Sequence, residues 1–534
     1  KMLERHYKPR ENSPINSFVY GKWIWRIWLL GLAFAVRIVG LDAQGMWRDE
    51  VDQWRFALQS WDTLLENFTR PGWNGSLYQV LLRGWIILAG DSTYALRYFS
   101  LLWGVVGVAL VYALGRRLLG TRGPAWSTLV AATAPYLVWY AQEVKMYTWW
   151  PMLALVILYT LDRAFERRRW VWLIIPVGAL GLAVYSHILA PLIVPVALIW
   201  GLTYMWREYH EVWVLSDVQR DLHLIWISTY VRRDLRVIVG MVTLLLVIGL
   251  ISLPLLRWQA PLLLQQRETG FPSYTLRQMI EVLFSGWSSG MLGNLTLPLM
   301  PVWQRGLFAF FGGLALVGLV DLLKRKRVRV LVQLLAWMSV PLLLLWGISQ
   351  LYGPLFTDRY LIWCAPAFYL LIGAGCVRIQ KSVHPWITLF LLLLVLDLNG
   401  RVLEAQVTYP IKPEFNQASR YLAEHREPDE LLLFQIPYNH YVVDYYLTAP
   451  LSPWAAAPFS NWRLPSGEYQ VGAAYVDQEM ARLTEGHDEV WLIYSEVLLW
   501  DERELVKAWL DAHGEVTATR HYHRVSLYHY RLPK

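Results

Sequence analysis

SLYQVLLRGWIILAG, residues 76–90, decides how this chain is threaded. It is apolar enough to be taken for a membrane span, yet it is short and carries Gln79 and Arg83. A helix needs about 20 apolar residues to cross a hydrocarbon core of about 30 Å. The basic residues elsewhere settle its status. If 76–90 lies in the interface, Lys1 to Arg26, Arg116/Arg117/Arg122, Arg163/Arg167/Arg168/Arg169, Arg232/Arg233/Arg236, Lys324 to Arg329 and Arg378/Lys381 all fall on one side. The positive-inside rule makes that side cytoplasmic. If the segment spans, these clusters divide between two sides. The sequence therefore predicts an interfacial helix over 76–90 on the outer face.

Working outward, eleven spans are expected, at roughly 23–41, 95–115, 124–141, 146–162, 170–187, 189–206, 237–256, 304–323, 330–349, 360–377 and 386–400. The N-terminus is then cytoplasmic. The first run, with no cleavage pattern before it, reads as a retained anchor. Segments 42–94, 142–145, 257–303, 350–359 and everything after about 402 lie outside. An insert, 207–236, mixes charge with Trp213, Leu222, Ile225 and Trp226 and reads as an amphipathic cytoplasmic surface helix. The composition agrees: of 534 residues, 56% are hydrophobic and 17% charged, against roughly 45–50% and about 25% in soluble domains. The 31 Trp and 30 Tyr suit the headgroup level. A net charge of +8 comes from short clusters between apolar runs, not from one polar domain, which argues against a nucleic-acid partner. Cys364 and Cys376 lie about 18 Å apart along one helix and cannot bridge within it.

After residue 402 the pattern changes. ASRYLAEHREPDELLLFQ (418–435) reads as a helix stopped before Pro428 and then a strand. DEVWLIYS (488–495) reads as a strand, DERELVKAWLDAHG (501–514) as a helix closed by Gly514, and EVTATRHYHRVSLYHYRL (515–532) as a terminal hairpin. The fold expected is a polytopic α-helical membrane domain over 1–402 and an extracytoplasmic α/β domain over 403–534.

Just beyond the first span, GMWRDEVDQW (45–54) sets Asp49, Glu50 and Asp52 on the outer face. Asp49 and Asp52 are three apart and share a helical face, while Glu50 points about 100° away. Such a cluster is a solvated helix start, a divalent-metal site, or a base that takes a proton from an attacking hydroxyl. Local sequence does not choose among these.

The other outer segments bear on the choice. RPGWNGSLYQVLLRGW (70–85) leads to GDSTYALRYFSLLWGVVGVALVYALGRRLLG (90–120), followed by APYLVWYAQEVKMYTWW (134–150), YSHILAP (185–191) and FTDRYLIWCAPAF (356–368). In this order and at these membrane positions, the segments resemble the GT-C integral-membrane glycosyltransferases, most of all the protein O-mannosyltransferase (family 39) group and its bacterial relatives. The resemblance covers most of residues 20–400. It implies a sugar donor on a polyprenyl phosphate and an acceptor outside the membrane. By the same resemblance Asp49 is the catalytic base, with Glu50 beside it, and Arg97 matches the Arg opening the second span. Glu143, Lys145 and Tyr147 match an acid–basic–aromatic pattern that more often has Arg at the middle position. RPGWNGSLY replaces the usual Pro-Pro-Leu.

The chemistry asks for the same residue types. A sugar on a lipid phosphate already has a good leaving group, so the protein must place an acceptor hydroxyl, remove its proton and stabilise the departing phosphate. Asp49 serves as base, assisted by Glu50 and Glu143. Arg97, Lys145 and Arg359 are the phosphate-binding cations, with Asp358 as the alternative, purely local partner of Arg359. Tyr147, His187 and Tyr360 are candidate substrate contacts. No cofactor is demanded, although Asp49, Glu50 and Glu143 offer oxygen ligands to a divalent metal. The expected protein is a multi-pass enzyme of a bacterial inner membrane. The rival is a lipid-linked-sugar transporter or a non-catalytic envelope-assembly subunit. Transporters place charges near the midplane, often in inverted repeats, whereas here the charges lie at the outer mouth.

Overall fold

The computed structural model describes residues 15–167, 170–215, 272–295, 300–447, 450–464 and 466–533, with six single positions between 239 and 253. The expected span 237–256 and the part of the insert beyond 215 lie largely or wholly outside the described residues.

Helix α1 (Ile15–Ile38) leads through a turn to α2 (Arg48–Ala57), α3 (Trp61–Glu66) and α4 (Ser76–Ala89). Helix α4 occupies the segment that decided the threading. It has 14 residues, so it is about 21 Å long at 1.5 Å per residue. Its polar residues are used by the segment before it: Gln79 accepts from Trp73 Nε1 at 2.8 Å, and Arg83 donates to the Ala57 carbonyl at 3.2 Å.

The chain continues through α5 (Thr93–Leu119), α6 (Gly123–Thr133), α7 (Pro135–Ala141), α8 (Trp149–Arg167), α9 (Ile174–Val184) and α10 (Ile193–Leu215). The Ser92 hydroxyl caps α5 by accepting from the Ala95 N–H at 3.2 Å. The expected single span 124–141 is two helices. Pro135 drives the preceding residue out of helical geometry, and Ala134 has ψ 115°. Within the expected outer loop 257–303 lies α11 (Leu276–Ser289), opened by a Thr275/Gln278 capping box. Its buried Met279, Leu283 and Trp287 repeat every four residues and give it one apolar face.

Then come α12 (Met300–Lys324), α13 (Val328–Tyr352), a 3-10 segment (Asp358–Cys364) running into α14 (Ala365–Ser382), and α15 (Pro385–Thr408). Among the described residues, five helices are long and apolar enough to cross a membrane: Thr93–Leu119, Met300–Lys324, Val328–Tyr352, Asp358–Ser382 and Pro385–Thr408. The span entered at Asp358 is the most buried of these. A Cβ on Gly375 would fall on the Leu314 carbonyl and one on Gly318 on the Leu371 carbonyl, so α12 and α14 meet backbone to backbone.

Helix α15 runs past residue 402 into the second domain without a break. There α16 (Phe415–His425), β1 (Leu431–Phe434), α17 (His440–Tyr446), β2 (Trp454–Ala456), α18 (Ala473–Thr484), β3 (Glu489–Ser495), α19 (Leu505–His513), β4 (Glu515–Tyr522) and β5 (Val525–Arg531) form an α/β unit. The sheet order is β2-β1-β3-β5-β4, parallel at β1 with both its neighbours and antiparallel from β3 to β4. Alternation divides each strand between two cores. Leu432, Phe434, Trp491 and Leu527 join the core shared with the helices, while Leu433, Leu492 and Tyr530 pack with Met480, Val506 and Leu510.

One contact positions the site. The Gln44 side chain donates to the Gln406 and Tyr409 carbonyls, both at 2.8 Å, and accepts from the Ile411 and Lys412 N–H groups at 3.0 and 3.3 Å. The linker after α15 is thereby clamped onto the turn that precedes α2.

Candidate active site

Helix α2 begins at Arg48 and carries Asp49 and Glu50 in its first turn, where the positive end of the helix dipole favours acids. The 100° step between consecutive residues sends the two apart. Glu50 turns inward and is fully buried. Its oxygens accept from Arg97 Nε and Nη2, both at 2.9 Å, from Lys412 Nζ at 2.8 Å and from the Val144 N–H at 3.1 Å. Burial alone would raise its carboxyl; Arg97 and Lys412 outweigh burial and hold it at about 2.

Arg97 is also buried, and its remaining donors go to the carbonyls of Leu41 (3.0 Å), Gln44 (2.8 Å) and Gly45 (3.0 Å). All five guanidinium N–H groups are thus engaged. This geometry bears on two expectations. Arg97 is committed to Glu50 and the first-loop backbone and has no donor left for a phosphate. Glu50, with both oxygens occupied, is the partner of Arg97 and Lys412 and is not placed to assist a base.

Asp49 faces the mouth and is about one fifth exposed, with Arg359 Nη1 at 3.0 Å. Burial acts to raise its carboxyl, but Lys145, Arg359, Arg48 and Lys412 hold it below the ordinary aspartate value. Asp52, one turn on, is raised by burial and by Asp49 against the pull of Lys145. Arg359 sits between two rings, its guanidinium carbon 5.7 Å from the centroids of both Trp47 and Tyr147, and its buried Nε makes no hydrogen bond. Asp358, its sequence neighbour, is not its partner: that carboxylate accepts from the Tyr140 hydroxyl at 3.1 Å and from Thr357. Lys145 forms no ion pair among the described residues, although its charge acts on both Asp49 and Asp52.

Glu143 is buried, with Oε1 3.4 Å from Lys412 Nζ and Oε2 without a hydrogen bond. Burial and then the like charge of Glu50 raise its carboxyl, against the attraction of Lys412. Among the described residues, Asp49, Glu50 and Glu143 do not converge as a three-ligand set. Lys412, which no sequence motif marked, is 5% exposed and bridges Glu50 and Glu143, with Nζ 5.1 Å from the Trp139 ring.

His187 lies in the turn after α9, which is tied to α4 by the Leu77 N–H on the Tyr185 carbonyl (3.1 Å) and to Asn74 by the Ile188 N–H (3.0 Å). Its Nδ1 accepts from the Leu189 N–H at 3.1 Å. The proton of the neutral ring therefore sits on Nε2, which is buried and without a partner. The ring meets Tyr360 edge-on, with centroids 5.5 Å apart. Of the residues picked out by sequence, Asp49, Arg359, Tyr147, Lys145, His187 and Tyr360 gather around one mouth, while Glu50, Glu143 and Arg97 form the buried charge layer beneath it.

The family model described as dolichyl-phosphate-mannose-protein mannosyltransferase matches residues 76–219, about a quarter of the chain. No curated protein matches in sequence. Among solved structures, ArnT from Cupriavidus metallidurans bound to undecaprenyl phosphate is 15% identical, with 95% of this chain and 98% of that one covered and a TM-score of 0.51. The Archaeoglobus fulgidus oligosaccharyltransferase in complex with zinc and sulfate is 14% identical, with 91% and 71% covered and a TM-score of 0.52. The same archaeal enzyme, AglB, with an inhibitory peptide and a dolichol-phosphate is 14% identical, with 92% and 73% covered and a TM-score of 0.50. The chain thus shares the fold of these solved structures.

Proposed function

We propose that the protein transfers a single sugar from a polyprenyl-phosphate donor to an acceptor hydroxyl on the outer face of a bacterial inner membrane, by one inverting displacement with Asp49 as base. The observation that carries this reading is the Asp49–Arg359 pair at 3.0 Å. Tyr147, whose ring lies 5.7 Å from the Arg359 guanidinium, also lines a small pocket with Arg37 of α1, Trp103 and Val111 of α5, Leu155 of α8, and Ile362 and Pro366 at the entry to α14. In this reading the prenyl tail lies along the neighbouring helices and its phosphate reaches Arg359. The phosphate displaces Asp49 from the guanidinium, and Lys145 and the Nε2–H of His187 supply further charge and hydrogen bonding. Asp49, released, takes the proton of the acceptor hydroxyl as its oxygen bonds to the anomeric carbon. The carbon–phosphate oxygen bond breaks, and the prenyl phosphate leaves with the electron pair.

Arg359→Lys and Arg359→Ala are both expected to lower donor affinity and turnover. Each charge-assisted hydrogen bond contributes about 1.5–3 kcal/mol, or roughly ten- to a hundred-fold, and an ammonium cannot reproduce the guanidinium fork. Asp358→Asn is mild. Donor titration with the purified chain checks this, and unchanged kinetics in Arg359→Ala removes Arg359 from the site.

The threading proposed is eleven crossings with a cytoplasmic N-terminus, a membrane domain over 1–402, an outer 403–534 and an interfacial α4. A cysteine at exposed Thr69 is then expected to react with impermeant thiol reagents in intact cells, and one at exposed Thr121 to resist. The native Cys364 and Cys376 are buried and do not interfere. Equal labelling at the two positions overturns the threading.

A further inference from the structure

We infer that the C-terminal domain holds a zinc-class divalent metal ion between Glu430, Glu489 and His529. The three residues lie on one face and at one end of the sheet. Glu489 opens β3, His529 of β5 is opposite Trp491 of β3, and Glu430 immediately precedes β1, whose Leu431 is opposite Val490. Each presents one ligand atom inward, and these atoms lie within 4.8 Å of one another.

His529 Nε2 is 3.0 Å from Glu489 Oε2 and 3.4 Å from Glu430 Oε1. The atom is buried and yet forms no hydrogen bond. Placed between two acids and left without a hydrogen bond, an imidazole nitrogen is available as a metal ligand. Around a tetrahedral zinc with bonds of about 2.0–2.1 Å, neighbouring ligand atoms are about 3.3 Å apart. The two observed separations bracket that value.

The atoms that face away are all held. Glu430 Oε2 accepts from Trp491 Nε1 at 2.7 Å and from the Glu427 N–H at 2.9 Å. Glu489 Oε1 accepts from Arg531 Nε at 3.0 Å. His529 Nδ1 pairs with the Thr517 hydroxyl at 2.7 Å. Thr517 sits at the irregularity between Val516 and Ala518 in β4, where the extra residue re-aims its side chain. The imidazole also stacks on Trp491, with centroids 4.2 Å apart at 8°. Outer partners of this kind orient metal ligands and fix the histidine tautomer. Two carboxylates match a divalent charge. One nitrogen with two oxygens suits zinc, and the quarter-exposed Glu489 leaves a side open for water as fourth ligand. The ion staples β1, β3 and β5 of the domain that also delivers Lys412 to the membrane site.

The test uses the purified full chain, stripped by a chelator and titrated with Zn²⁺ by equilibrium dialysis with metal analysis. One zinc per chain is expected, retained in Asp49→Asn and weakened at least a hundred-fold in His529→Gln and Glu489→Gln. Thr517→Ala leaves every ligand in place and is expected to weaken binding about ten-fold, which keeps the test decisive where a ligand variant fails to fold. No zinc bound by the wild-type chain at micromolar free metal overturns the inference. So does unchanged affinity in all three sheet variants, or a loss found in Asp49→Asn and not in His529→Gln.

Discussion

Asp49→Asn is expected to bind the lipid-linked donor at least as tightly as the wild type and to lose transfer by about 10²–10⁴-fold, the contribution of a positioned base. The amide nearly keeps the shape of the carboxylate but neither accepts the acceptor proton nor holds Arg359 by charge. Arg359 is then free for phosphate, so affinity and turnover move in opposite directions. No purely structural role for Asp49 gives that split. The pH dependence follows the same charges. Lys145 and Arg359 help to hold the Asp49 carboxyl below the ordinary aspartate value. The acid limb of kcat/KM, which reports the free enzyme, therefore falls below the usual carboxylate range. Once a phosphate neutralises those cations the carboxyl is a stronger base, and the acid limb of kcat lies at higher pH. Steady-state kinetics of the purified variant and wild type measure both effects.

Glu50→Gln and Arg97→Met are expected to fail at an earlier stage, in the fold. The Glu50–Arg97 pair is buried and bidentate, and Arg97 also binds three carbonyls of the turn that leads into α2. Removing one partner of a buried pair leaves an uncompensated charge and costs about 3–5 kcal/mol. Both variants are expected to lose most of their folded yield in detergent, followed by size-exclusion chromatography and thermal melting. The stabilisation from Glu50 is fully present above the ordinary glutamate value and is lost as pH falls through about 2, since its folded carboxyl is depressed. Glu143→Gln is milder because Glu143 Oε2 makes no hydrogen bond to lose.

The membrane marks out several candidate residues in the sequence. Charges are costly in hydrocarbon, so those at span ends stand out, as Arg359 does, while the roles proposed for Asp49 and Lys145 rest on the family resemblance. Geometry within the cluster was harder to read. The 100° step from Asp49 to Glu50 was visible, but its consequence, that Glu50 would claim Arg97, required knowing where the second span begins relative to the first loop. Asp358 and Arg359 adjoin in sequence and diverge in space, because the 3-10 segment starting there sends one toward Tyr140 and the other toward Asp49. Lys412 was missed because a lysine between two prolines of a linker carries no pattern. The Gln44 clamp, joining positions far apart in sequence, helps to bring it beside Glu50. In the C-terminal α/β unit, the strands over Leu431–Phe434 and Glu489–Ser495, the helix closed by Gly514 and the terminal hairpin were all readable from alternation and stop signals. Strand β2 has three residues, too few to show a period.

The central claim, that Asp49 drives transfer of one sugar from a polyprenyl-phosphate donor, is tested most directly in a deletion strain complemented with the wild-type or the Asp49→Asn chain. Mass spectrometry of the lipid-linked sugars and envelope glycans is the measurement. The expected result is a polyprenyl-phosphate monosaccharide that accumulates in the deletion strain and equally in the Asp49→Asn strain, paired with one glycan or glycolipid lacking a single sugar, both corrected by the wild type. A lipid-linked pool unchanged by the deletion, or full correction by Asp49→Asn, contradicts it.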